Sequence, residues 1–122
     1  MSDADRGFLT THILDTANGC PAEGVRIELF SMTTDGNRTA LCEMVTNDDG
    51  RTDRPIVPHG ELKAGEYELV FHIGDYFAAR GQGDEIRFLD VVPLRFGISK
   101  PDEHYHVPLL ASPYSYSTYR GS

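Results

Sequence analysis

The chain has 122 residues, 39% hydrophobic and 25% charged, with a formal net charge of −8 when histidine is neutral. That length suits a single domain, residues 1–122, able to bury roughly two-thirds of the surface exposed by its unfolded chain, and the composition is that of a globule rather than a disordered segment. Such acidity argues against nucleic acid, since phosphate recognition needs a basic footprint, and points to a small ligand met by local cations.

Apolar residues recur with a period of two, so strands are predicted in chain order. The first covers Phe8–Asp15, where Leu9, Thr11 and Ile13 form one side and His12 lies on the other. In VRIELF, Val25, Ile27 and Leu29 point one way while Arg26 and Glu28 point the other. A third strand is expected over Thr39–Thr46. A fourth covers YELVFHI, with Tyr67, Leu69, Phe71 and Ile73 alternating with Glu68, Val70 and His72. DYFAARG then predicts a short helix over Asp75–Gly81, with Asp75 as N-cap and Gly81 as the stop. Leu89–Ile98 follows, and Pro93 inside it marks an edge strand or a bulge. His104–Leu110 and a shorter Tyr114–Tyr119 complete the set. Turn-forming stretches such as ANGCPAEG, TTDGN, NDDGR, KAGE and SKPDE separate the strands. Short, regularly spaced strands of this kind predict a mostly antiparallel β-sandwich or barrel.

The beginning, MSDADRGFLTTHILD, carries charge and no apolar run, so it does not read as a secretory signal. No stretch approaches the roughly 20 apolar residues of a membrane span. Cys20 and Cys42 could pair, but two free thiols fit a chain without a secretion signal better. The Asn37-Arg38-Thr39 sequon is then a chance match. A cytoplasmic location is expected.

Several residues carry candidate chemistry. His104 and His106 are two apart on a predicted strand and leave the same face, while Tyr105 and Val107 point to the other, core side. The competing reading is two ordinary polar-face histidines. With His12 they could also form a three-histidine zinc site, although no carboxylate stands ready to orient the ligands. NDDGR is not a calcium loop, because Val45 and Ile56 would fall on ligand positions. Ser112, Ser117 and Ser122 lack the elbow of a serine hydrolase. Arg51, after Gly50 in a tight turn, is either a solvated arginine or a bidentate donor for a carboxylate or a urea-like edge, and Arg120 has the same two readings. The GQG at 81–83 lacks the context of a phosphate loop. His59 and His72 read as structural or solvent-facing.

Four stretches, LTTHILDTANGCPA, NDDGRTD, YELVFHIGDYF and HYHVPLLASPYSYSTYRGS, resemble the 5-hydroxyisourate hydrolase family, the transthyretin-like enzymes of purine degradation. The closing YRGS is what distinguishes these hydrolases from transthyretin itself, a carrier of the same fold. The resemblance implies an all-β transthyretin-like sandwich of about eight strands and one short helix, assembled as a homotetramer, a dimer of dimers, with active sites at the dimer–dimer interface. It implies His12, Arg51, His106 and Ser122 as catalytic residues. His12, Arg51, His104, Tyr119, Arg120 and Gly121 would bind substrate. Ser115 stands where the family usually has glycine.

The implied reaction opens the six-membered ring of 5-hydroxyisourate at its N1–C6 amide, giving 2-oxo-4-hydroxy-4-carboxy-5-ureidoimidazoline. His12 and His106 would position and deprotonate the water, with either as the base, while Arg51 would hold the heterocycle and developing charge. Neither a cofactor nor a metal is required. The alternatives are a non-enzymatic carrier of a small aromatic ligand, which has no chemical need for the His12, Arg51 and His106 trio, and a purely structural sandwich.

Overall fold

In the computed structural model, which describes residues 7–121, the period-two pattern becomes two four-stranded sheets. The strands are β1 (Phe8–Asp15), β2 (Cys20–Pro21), β3 (Arg26–Met32), β4 (Arg38–Val45), β5 (Gly65–Phe71), β6 (Val92–Ile98), β7 (His104–Ala111) and β8 (Tyr116–Thr118), with one helix, α1 (Ile73–Ala79). One sheet has the order β2-β1-β7-β8 and the other β4-β3-β5-β6. Leu9, Ile13, Ile27, Leu29, Leu69, Phe71, Val107 and Leu109 form the centre of the core. Burying a side chain of this kind stabilises the fold by about 1.5–3 kcal/mol, so a one-residue slip in any of these strands would expose several such groups together.

The predicted strands are present, with two refinements. Every pairing among the described residues is antiparallel except the central one, where β1 runs parallel to β7 from Phe8↔His104 to Asp15↔Ala111. A parallel pair needs a long crossover, and nearly the whole chain lies between these two strands. The two-residue β2, within a stretch expected to be turn, pairs with the end of β1 through Leu14↔Pro21 and Asp15↔Cys20. Pro93 stands in β6, an edge strand, where its missing N–H breaks no interior ladder. Cys20 and Cys42 are free thiols.

The helix starts earlier than expected. It occupies Ile73–Ala79 rather than Asp75–Gly81, its N-cap is His72, and Asp75 lies within the first turn. Packing decides this: Ile73 and Phe77 are each 1% exposed, so the chain bends into helix directly from β5 to keep Ile73 inside. Gly74 makes that entry possible. Its N–H donates to the Asp90 carbonyl at 2.8 Å, and a Cβ there would fall 2.1 Å from Asp90 Oδ1. Asp75 still has the carboxylate favoured near a helix N-terminus. Gly81, with φ +68°, takes the left-handed conformation expected of a stop residue.

A polar knot fastens the helix to the end of β1. The buried Asp15 carboxylate accepts hydrogen bonds from Tyr76 Oη at 2.7 Å and from the Asn18 backbone and side chain at 2.9 and 2.6 Å. Burial alone would raise the Asp15 pKa, but these donors bring it below its ordinary value. Burial and the same hydrogen bond push the Tyr76 hydroxyl upward, keeping it a donor. A buried acceptor left unpaired costs about 1–3 kcal/mol, so this end of β1 is firmly placed.

Candidate functional site

The parallel register of β1 and β7 builds one wall of the site. Leu9, Thr11, Ile13, Tyr105 and Val107 are buried, so alternation turns Thr10, His12, His104 and His106 to the outer face of their sheet. Register sets Phe8 beside His104 and Thr10 beside His106. Thr10 Oγ1 lies 2.7 Å from His104 Nε2 and 2.7 Å from His106 Nδ1. The His104 ring stacks on Phe8 at 3.9 Å between centroids, with 3° between planes, and Phe8 stacks on His59 at 3.9 Å.

The turn at 47–51 brings in the cation. Asn47 Oδ1 accepts from the Asp49 and Arg51 amides at 2.9 and 3.2 Å, and the Gly50 carbonyl accepts from the Ile13 amide at 2.8 Å. Gly50 has φ +75°, and a Cβ there would sit 2.4 Å from the Ile13 carbonyl oxygen and 3.2 Å from His12 Cδ2. Glycine is therefore needed both for the turn and for its close approach to β1. The next residue, Arg51, is thereby delivered beside the histidines. Its guanidinium is half exposed and pairs with Asp49 at 3.4 Å, a surface contact worth little in stability. Thr10, Arg51, Arg54, His104 and His106 line a cleft of about 460 Å³, a size ordinary for small-molecule sites.

Electrostatics here favour neutral imidazoles. Burial, then Arg51, His104 and His12, lower the His106 pKa from its ordinary 6.5. Burial and then Arg51 also lower that of His12, against an opposing pull from the Asp49 carbonyl and carboxylate. Burial, His59 and Arg120 do the same for His104. His12 Nε2 is buried without a hydrogen-bond partner among the described residues, a state uncommon in native folds outside functional positions. Two proton acceptors thus stand near the permanent cation of Arg51. Among the described residues, no three His, Cys, Asp or Glu side chains converge as a metal-ligand set.

A model of the HIUase/Transthyretin family matches residues 9–121. The chain belongs to this family. It is 56% identical over 114 residues to a 5-hydroxyisourate hydrolase of Deinococcus radiodurans, covering 93% of this chain and 95% of that one. Among solved structures it is similar to (S)-allantoin synthase, with TM-score 0.90 and 53% identity over 98% of this chain. It spans only 45% of that longer protein. It is also similar to sea bream transthyretin in complex with thyroxine, with TM-score 0.82, 30% identity and 93% of each chain covered.

In this member of the HIUase/Transthyretin family the tail divides between two sides of the sheet. Gly121 pairs with His106 through its amide, which donates to the His106 carbonyl at 2.7 Å. A Cβ on Gly121 would lie 2.8 Å from His106 Cδ2, so only glycine lets the chain pass this close to the ring. Arg120 turns elsewhere. Its guanidinium covers the Tyr105 ring at 4.0 Å and donates to Glu103 at 2.9 Å. Tyr119 is exposed and lines a separate groove with Leu94, Phe96 and Tyr105. Within one chain, therefore, Arg51, His104 and His106 share the cleft, His12 stands next to it and Gly121 backs it, whereas Tyr119 and Arg120 do not line it. Ser122 lies outside the described residues.

Reading the sequence missed Thr10, which touches both histidines of the H-x-H pair, and Phe8, which carries the His104 ring. Both share the His12 face of β1, so alternation contained the signal. What it lacked was the neighbouring strand. His59 has the structural part expected of it, as the outer ring of the stack. His72 binds Glu28 Oε1 at 2.7 Å, away from the cleft.

Proposed function

We propose that this chain hydrolyses 5-hydroxyisourate, opening the ring at the N1–C6 amide to give 2-oxo-4-hydroxy-4-carboxy-5-ureidoimidazoline. The observation that carries this reading is the gathering of His12 and His106 beside Arg51, which helps depress the pKa of both imidazoles. Ring opening needs an activated water, a holder for the oxyanion and donors to the urea-like oxygens. One imidazole takes the water's proton as the oxygen attacks C6, a contribution of roughly 10²–10⁴-fold. The proton is then delivered to the departing ring nitrogen. Arg51 pairs its planar donors with the heterocycle and stabilises the oxyanion. A strained, activated lactam needs no cofactor for these steps.

The carrier reading leaves this polar trio without a purpose, since binding an aromatic molecule requires no base. The deciding experiment mixes the purified protein with freshly generated 5-hydroxyisourate and follows its ultraviolet decay. Faster decay than in buffer supports the hydrolase, while an unchanged rate with retained binding supports the carrier.

The lowered histidine pKa values set a pH dependence. A neutral imidazole is the working form, so kcat/KM should rise with pH and reach its plateau through an acid limb centred below 6.5, the ordinary histidine value. The two rings interact, so the limb belongs to the pair. A midpoint above 6.5 in a pH–rate profile would contradict this electrostatic account.

The working unit is a single domain, residues 1–122, assembled as a homotetramer of two dimers, in which tails from neighbouring subunits complete each cleft. Two features support assembly: β6 and β8 are sheet edges, a ready template for pairing with another copy, and Ile86 and Phe88 are 90% and 71% exposed. Tyr119 and Arg120 then contact substrate across the subunit interface, Ser122 serves as a further catalytic residue, and Gly121 and His104 support His106. Light scattering on a size-exclusion column should return four times the chain mass; a monomer that is fully active would refute the shared site. Free Cys20 and Cys42 suit a reducing cytoplasm, which fractionation of the source cells can check. No helix among the described residues is long and apolar enough to cross a membrane.

A further inference from the structure

The hydroxyl of Thr10 stands between two imidazole nitrogens, 2.7 Å from His104 Nε2 and 2.7 Å from His106 Nδ1. A threonine hydroxyl has one proton to donate and lone pairs to accept with. With both rings neutral, it can satisfy both contacts in three ways. It can donate to His106 Nδ1 and accept from His104 Nε2–H, donate to His104 Nε2 and accept from His106 Nδ1–H, or accept from both N–H groups. The first arrangement puts a proton on His106 Nε2 and removes its basicity. The other two leave Nε2 as a bare lone pair.

Arg51 selects between them. Arg51 lines the same cleft as His106, and a guanidinium only donates, so it favours a lone pair over an N–H on Nε2, the ring nitrogen that Thr10 leaves free. The other charged or titratable groups around the pair are His12 on β1, Asp53 and Arg54 in the cleft wall, and His59 and Arg120 near His104. The Phe8–His59 stack holds the His104 ring flat, which keeps its Nε2 directed at the hydroxyl.

We propose that Thr10 is a positioning residue for the hydrolysis, setting the tautomers of His104 and His106 so that His106 Nε2 is the general base. This rests on the hydrolase reading and adds to it the identity of the base and the group that prepares it. The hydroxyl touches only the two rings in this role and forms no bond to substrate.

The test measures imidazole tautomers in the resting protein by ¹⁵N NMR, beside turnover of 5-hydroxyisourate, for the unaltered chain, Thr10→Val and Thr10→Ser. In the unaltered chain His106 should show a protonated Nδ1 and an unprotonated Nε2. Thr10→Val, close in size but without the hydroxyl, should mix the His106 tautomers and lower kcat on the order of 10²-fold with KM nearly unchanged. Thr10→Ser should restore both. A His106 ring protonated at Nε2 in the unaltered chain overturns the proposal, as does a Thr10→Val protein with unchanged tautomers and kcat. The Thr10→Ser and resting-state measurements stand even if the valine variant folds poorly. If the tautomers match expectation but no form accelerates 5-hydroxyisourate decay, the hydrolase reading fails and the tautomer lock survives.

Discussion

Replacing His106 by alanine should lower kcat for 5-hydroxyisourate by roughly 10²–10⁴-fold, the range of a lost general base. Arg51→Ala should cost about 10²–10³-fold, as for a removed oxyanion donor. Neither change threatens the fold. The Arg51 side chain is 49% exposed and forms a surface ion pair with Asp49, and the His106 ring lies on the outer face of the sheet, away from the core side chains Tyr105 and Val107. Arg51→Lys sharpens the experiment, because a point charge cannot reproduce the planar fork and should rescue little activity. Steady-state kinetics beside thermal unfolding separate the outcomes. Near-wild-type turnover in His106→Ala would remove His106 from the mechanism.

Gly121→Ala should cost on the order of 10²-fold in kcat through geometry alone. The added methyl would sit 2.8 Å from His106 Cδ2 and 3.1 Å from its Cβ, too close for both groups to keep their places. The Gly121 backbone needs no left-handed conformation, since its φ is not among the positive glycine values, so the penalty arises from the ring contact. Displacing that ring also disturbs its 2.7 Å contact with Thr10. Stability should change little, because the affected pairing is an isolated bridge at the end of the chain. Full activity with an unshifted His106 resonance would show that the tail can relax without moving the base. Deleting Tyr119–Ser122 serves as the comparison and should also reduce activity far more than stability.

Local rules made much of this legible. Period-two alternation assigned Leu9, Thr11 and Ile13 to the inside and His12 to the outside, and likewise separated Tyr105 and Val107 from His104 and His106. The helix was legible in existence and stop, through Gly81, but not in its start. There the burial of Ile73 outweighed the capping preference of Asp75, as tertiary packing commonly outweighs propensity.

Sequence by itself determined which side chains share a face, because that depends only on the two-residue repeat of an extended backbone. It also determined the turn at Gly50, since glycine tolerates positive φ, and the family likeness of the ordered motifs. Which faces meet was decided only by tertiary structure. Thr10 and His106 are 96 residues apart, and no local preference specifies that β1 will lie parallel to β7 in the register that joins them. The approach of Gly50 to His12 and the turning of Arg120 onto Tyr105 are likewise long-range packing choices. They depend on how the sheets pack, one face of each against the other, a condition that no single segment can satisfy alone.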